Sequence, residues 1–134
     1  MLRYGTLLGA LIAGAFATGA VATAAPSTDD SGFVDSAARC AAGQHAAAVG
    51  RTQRSEIVVC RTGDGGYEYI GVRVSDGAHT RAPARSTDTG FVAQTETASY
   101  TVTPRRLEVF SGDRLIYGDT WIDYQSGDRP PERQ

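Results

Sequence analysis

Short runs of alternating apolar and polar residues fill most of the second half of the chain. One such run lies at 67–74, and four more, at 90–95, 99–103, 107–110 and 115–117, follow one another at roughly eight-to-ten-residue spacing. In the clearest run, one face carries Tyr67, Tyr69, Gly71 and Arg73, and the other carries Glu68, Ile70, Val72 and Val74. This spacing predicts a mainly β domain, a small antiparallel meander that closes as a barrel or a sandwich.

Turn sequences separate these runs, at 62–66, 75–78 and 111–113, and the last of them is expected to form a tight hairpin turn. Upstream, 49–51 and 56–61 flank a polar turn and predict the first hairpin. The residues from His79 to Ala82 are predicted to return as an irregular edge strand. Because proline cannot donate a ladder hydrogen bond, that strand is expected to break at Pro83.

Two further segments flank the regular pattern. Residues 31–40 are compatible with a short helical turn capped by Ser31 or Asp35, although overall helix content is expected to be low. Residues 119–124 contain the only tryptophan and are a candidate terminal strand. The last ten residues are polar and contain two prolines, which predicts a disordered tail.

The first two dozen residues have the pattern of a secretory signal peptide that forms a helix. A short segment with one positive charge, Arg3, precedes an apolar stretch, and Ala22-Thr-Ala24 matches the small-residue rule for cleavage after Ala24. The alternative is an uncleaved anchor. A membrane span needs about 20 strongly apolar residues, and the many Gly and Thr residues here favour cleavage, which leaves no stable anchor. The chain therefore divides into a signal peptide (1–24), a linker (25–31), one β-rich domain (32–124) and a tail (125–134).

Charge and cysteine content narrow the functional classes. The formal net charge is −2, which gives no reason to expect a nucleic-acid partner. Cys40 and Cys60 are the only cysteines, and in an oxidising compartment they are predicted to form one disulfide that tethers the short N-terminal segment. The alternative, a reactive thiol, would require a C-x-x-C pair or a nearby base, and the sequence has no such pattern.

Motifs for catalysis and metal binding are missing from the sequence. There is no G-x-S-x-G, no H-E-x-x-H, no phosphate-binding glycine loop and no cysteine–histidine quartet. His45 and His79 are interpreted as loop residues, and Asp119 and Asp123 as solvated charges. We therefore expect a non-enzymatic protein with no cofactor and no metal.

Two surfaces are candidate binding sites. The first is the face of Tyr67, Tyr69 and Arg73, because tyrosine and arginine dominate interface hot spots. The second is the proline-stiffened segment that carries His79, Arg81 and Arg85, since a stiffened loop loses less entropy on binding. The alternatives are that the tyrosines pack inward and that the segment is a plain connection.

The sequence resembles two groups of exported proteins. The stretches 49–60, 69–78 and 100–104 are similar to small uncharacterised secreted proteins of actinobacteria, of the mycobacterial and nocardial type. A fainter similarity, in size, export, disulfide use and an Asp-Gly turn, links the chain to bacterial periplasmic lysozyme-inhibitor β-barrels. Ser75-Asp-Gly77 is the nearest counterpart of their inhibitory serine-glycine segment, and it departs from that pattern.

These observations predict a secreted binding domain of the cell envelope or medium, or a cell-wall-associated one, that acts as a monomer. The partner is expected to be a protein or a glycan. One alternative is an inhibitor of an extracellular hydrolase that presents the segment from Ser75 to Arg85. A second alternative is a small secreted hydrolase that uses His79 with Asp76 or Asp88.

Overall fold

A computed structural model describes residues 26–127 of the chain. The predicted signal peptide with its cleavage site and most of the predicted tail lie outside the described residues. The strands are β1 (Thr28–Asp29), β2 (Gly32–Phe33), β3 (Ala46–Arg51), β4 (Ser55–Arg61), β5 (Tyr67–Arg73), β6 (His79–Ser86), β7 (Phe91–Gln94), β8 (Ser99–Val102), β9 (Arg106–Ser111), β10 (Arg114–Thr120) and β11 (Asp123–Ser126).

One antiparallel sheet of nine strands forms the body of the protein. The strands from β3 to β10 pair in sequence order, and β11 returns to pair with β3 at the far edge. A flat sheet of this size would hold its edges about 38 Å apart. However, β10 ends at Thr120 and β11 begins at Asp123, so their Cα atoms lie at most about 11 Å apart. The sheet therefore curls into a half-barrel, which agrees with the predicted mainly β meander.

The inside of the half-barrel is the larger apolar core. Its buried members are Ala47, Ala48, Ile57, Val59, Tyr69, Ala82, Phe91, Ala93, Val102, Leu107 and Val109. A smaller core lies on the outer face of β4 and β5, where Val58, Cys60, Ile70 and Val72 pack under Phe33, Ala38 and Cys40. Because β4 is buried on both faces, its sequence from Ile57 to Cys60 is continuously apolar rather than alternating.

Residues 26–45 cover this outer face without forming a helix. The short β1–β2 hairpin comes first, and β1 lies within the segment predicted to be a linker. The Phe33 N–H donates to the Ala38 carbonyl at 3.0 Å, and the Ser36 hydroxyl accepts from the Ala38 N–H at 3.0 Å. The predicted helical turn at 31–40 is therefore wrong. Gly32 has a φ of 120°, and short polar side chains that bond to nearby backbone favour turns over a helix.

The predicted disulfide is present. Cys40 and Cys60 are joined with a Cα–Cα distance of 5.6 Å, and no cysteine is free. Cys60 is fully buried in β4 and Cys40 is nearly so. The bond thus fastens the covering segment to the central strand of the smaller core.

The prediction for β6 is wrong in two respects. The strand lies between β5 and β7 in the sheet rather than at its edge. The strand does not break at Pro83 but runs through it for eight residues. Strand β6 pairs with β7 only over Ala84–Ser86, so at Pro83 it has β5 as its single neighbour. Proline is tolerated at strand positions that lack a neighbour on one side, because its missing N–H can face that side.

Candidate binding cleft

A cleft of about 410 Å³ opens into the inside of the half-barrel. The two edge strands, β10 and β11, do not pair with each other, so the curled sheet stays open along the seam between them. Strands β4, β5 and β6 contribute one wall, and β8 and β10 contribute the other. The side chains that give the cleft its chemistry are Arg54, Tyr69, Arg73, His79, Tyr100 and Tyr117.

The floor of the cleft is a pair of stacked tyrosine rings. The centroids of Tyr69 and Tyr100 lie 4.8 Å apart, with 22° between the ring planes. Tyr69 is only 3% exposed, and its ring folds over Gly71, where a Cβ atom would lie 2.7 Å from the hydroxyl oxygen. Burial raises the pKa of Tyr69 far above its ordinary value, with smaller contributions from Tyr117 and Tyr100. The residue is therefore neutral and firmly held.

Arg54 links the two sides of the seam. Its Nε and Nη2 atoms donate to the two carboxylate oxygens of Asp119 at 3.1 and 2.8 Å. Its guanidinium carbon also lies 4.3 Å from the ring centroid of Tyr117, a cation–π contact. The hydrogen bonds and charge of Asp119 raise the pKa of Arg54. This fork-to-fork geometry fixes the orientation of the guanidinium.

The charge that faces the cleft is positive. The Arg54 side chain is 57% exposed, whereas its partner Asp119 is 13% exposed and is not part of the cleft lining. Arg73 pairs with Asp76 at 3.0 Å outside the cleft. Strand register places Arg73 on the inner face with Tyr69, while His79 pairs with Val72 of the outer face and so lies at the rim. The lining includes no acidic side chain.

The structure brings three of the six sequence-predicted binding residues together. Tyr69, Arg73 and His79 meet at the cleft, but Tyr69 is buried rather than an exposed platform. Tyr67 faces the same interior and packs edge-on against Phe91 at 5.0 Å, away from the cleft. The tyrosine rings thus pack inward, the alternative that the sequence left open.

Arg81 and Arg85 do not join the cleft. Arg81 pairs with Glu68 at 3.0 Å on the outer side of the sheet, and Arg85 is exposed where β6 pairs with β7. Both belong to a regular strand, so the segment from Ser75 to Arg85 is a turn followed by β6 rather than a protruding loop. Most of the segment that the inhibitor alternative would present as a loop is therefore a regular strand.

Sequence reasoning missed Arg54, Tyr100 and Tyr117. The alternation of 99–103 indicates that Tyr100 and Val102 share a face, but it does not indicate which strand lies opposite. Tyr117 and Arg54 are brought together only by the curl of the sheet, across 63 positions of chain. No local signal in the sequence marks that contact.

Of the two residue pairs in the hydrolase alternative, His79 and Asp88 are not brought together. His79 begins β6 and Asp88 follows its other end, so they are separated by more than about 20 Å of extended chain. Asp76 is engaged with Arg73 and accepts the Ala78 N–H at 3.0 Å. Within residues 26–127, no group of three or more His, Cys, Asp or Glu side chains is placed to hold a metal ion. Over the same residues no helix is long and apolar enough to cross a membrane.

Comparisons with known proteins return no relative. No protein-family model matches the chain, and comparison with curated proteins and with solved structures likewise gives no significant match. The resemblance to actinobacterial secreted proteins and to lysozyme-inhibitor barrels therefore stays a prediction.

Proposed function

We propose that the protein is a secreted, non-enzymatic binding domain of the cell envelope or medium, and that it holds its partner in the cleft of the half-barrel. The observation that carries this proposal is the preorganised cleft wall, where Arg54 is fixed by Asp119 and Tyr117 and Tyr69 is fixed by Tyr100. Side chains that are already ordered lose little entropy on binding, which favours affinity.

Two further observations support the proposal. The cleft volume of about 410 Å³ falls in the range typical of ligand sites. The buried disulfide is consistent with an oxidising, extracellular environment, the compartment in which such bonds persist. A binding domain that remains folded outside the cell would benefit from this covalent link in the small outer core.

The proposal is tested by capture from cell-envelope extract with the chain expressed from its full sequence. The cleft variants are Tyr100→Ala and Tyr117→Ala, and the matched controls are Arg85→Ala and Thr101→Ala, which change exposed or outer-face positions. We expect the cleft variants to lose at least about tenfold in affinity for the captured partner, equivalent to roughly 1.4 kcal/mol. The controls are expected to bind as the wild type does.

The opposite pattern would contradict the proposal. If Arg85→Ala abolished capture while both cleft variants retained it, the binding surface would lie on β6, as the inhibitor alternative requires. Thermal unfolding of every variant, followed by the fluorescence of Trp121, separates loss of binding from loss of fold.

A further inference from the structure

We infer that the ligand of the cleft carries a carboxylate, which is bound by the unoccupied N–H groups of Arg54 together with Arg73. This inference rests on the proposed function and names the chemistry of its ligand. Two sources would present the same group: an acidic sugar, or the carboxylate of a peptide. The experiment below distinguishes them.

Arg54 keeps hydrogen-bond donors that its contact with Asp119 does not use. A guanidinium has five N–H donors. The side-on contact to Asp119 uses the Nε donor and one Nη2 donor, which leaves both Nη1 donors and one on Nη2. Since the Arg54 side chain is 57% exposed and lines the cleft, these donors are accessible to a ligand.

The backbone of Arg73 lies beside that of Arg54. Ser55 is directly opposite Arg73 in the β4–β5 pairing, and the Val74 N–H donates to the Arg54 carbonyl at 2.8 Å. Two arginines therefore emerge from neighbouring backbone positions at one end of the cleft. Planar guanidinium groups match the geometry of a carboxylate better than any other side chain does.

The cleft-lining residues carry no negative charge that would compete with a carboxylate ligand. The carboxylate that balances Arg54 is 13% exposed behind it, and the tyrosine hydroxyls, Ser55 and Thr80 can all donate hydrogen bonds. A ligand rich in acceptors therefore suits the lining, and a cationic ligand would meet no carboxylate among the lining residues.

Asp76 gives the inference a sharp test. Its carboxylate already occupies Arg73 at 3.0 Å, so it competes with an incoming carboxylate. Asp76→Asn removes this competitor, while the amide oxygen can still accept the Ala78 N–H that holds the turn. We expect Asp76→Asn to bind a carboxylate several-fold more tightly than the wild type, an effect that a purely structural role for Arg73 would not produce.

The experiment is an NMR titration of the full chain with four small probes: glucuronate, its neutral counterpart glucose, a tripeptide with a free C-terminus, and the same tripeptide amidated. Ring signals of Tyr100 and Tyr117 and the Nε–H of Arg54 report on the cleft. We expect one of the two carboxylate probes to bind at least about tenfold more tightly than its neutral counterpart. Arg73→Gln should remove that preference, and the control Arg85→Gln should retain it. Added salt should weaken binding because it screens the charges.

The probe that binds identifies the source, an acidic sugar or a peptide carboxylate. Equal affinity for charged and neutral probes, or no cleft shifts with either carboxylate at tens of millimolar, would overturn the inference. Partner capture that still depends on Tyr100 and Tyr117 would then leave the proposed function standing. If capture did not depend on these tyrosines, the proposed function itself would fail.

Discussion

The indole ring of Trp121 lies directly on the backbone of Gly50. A Cβ atom at position 50 would be 2.6 Å from Cζ3 and 2.7 Å from Cε3 of the indole. The indole Nε1 also donates to the Thr103 carbonyl at 2.6 Å, and the ring stacks on Tyr124 at 5.2 Å. Trp121 lies between β10 and β11 in the chain, and its contacts connect β3 and β11 to the residue that follows β8.

Gly50→Ala should therefore destabilise the fold. The added methyl group overlaps the indole, and overpacking of this kind typically costs about 1–3 kcal/mol. Urea unfolding followed by Trp121 fluorescence measures the loss, because this is the only tryptophan. The matched control is Gly63→Ala, since a Cβ there meets nothing within 4 Å. If the two variants were equally stable, the packing of the Trp121 ring would not require glycine at position 50.

Removal of the disulfide should loosen the covering segment. Cys40 and Cys60 enclose a separation of 20 residues, for which the chain-entropy model gives about 3 kcal/mol. We expect the double variant Cys40→Ala, Cys60→Ala to unfold at lower urea concentration. It should also be cut by trypsin after Arg39, whose side chain is held by Asp29 in the folded segment. A double variant that matches the wild type in both assays would show that packing alone holds the segment.

Alkaline pH should destabilise the protein through Tyr69. Burial raises the pKa of this residue in the folded state above its unfolded value of roughly 10. Below about pH 10 Tyr69 is neutral in both states, so its ionisation does not lower the free energy of unfolding. As pH rises further, the free energy of unfolding falls by up to about 1.4 kcal/mol per pH unit, because Tyr69 ionises only in the unfolded state.

The free energy of unfolding of Tyr69→Phe, measured from neutral to alkaline pH, should fall less steeply than that of the wild type. Tyr124→Phe is the comparison, since burial also raises the pKa of Tyr124, which is only partly buried. If Tyr69→Phe and the wild type showed identical pH profiles, ionisation of Tyr69 would not contribute to alkaline unfolding.

Much of the fold was predictable because it depends on local pattern. The strands around Tyr67, the turn at 111–113 and the Cys40–Cys60 bond follow from alternation, turn residues and the presence of just two cysteines. The predicted break at Pro83 was wrong because a proline interrupts a strand only where a neighbouring strand needs its N–H, and the sequence does not show where β7 begins to pair. The predicted helical turn at 31–40 was wrong because serine and aspartate favour helix caps and non-helical turns alike.

The sequence by itself determined the antiparallel meander of successive strands, the covalent link and which residues share a face of the clearest strand, because these properties depend on neighbours along the chain; the return of β11 to β3 was not among them. Only the tertiary structure decided that the tyrosine face points inward, and only it assembled the cleft. The sheet must curl because only residues 121–122 connect its two edge strands, β10 and β11. The curl brings Arg54 into contact with Tyr117 and Asp119. That contact is set by closure of the whole sheet, so no local pattern of apolar and polar residues encodes it.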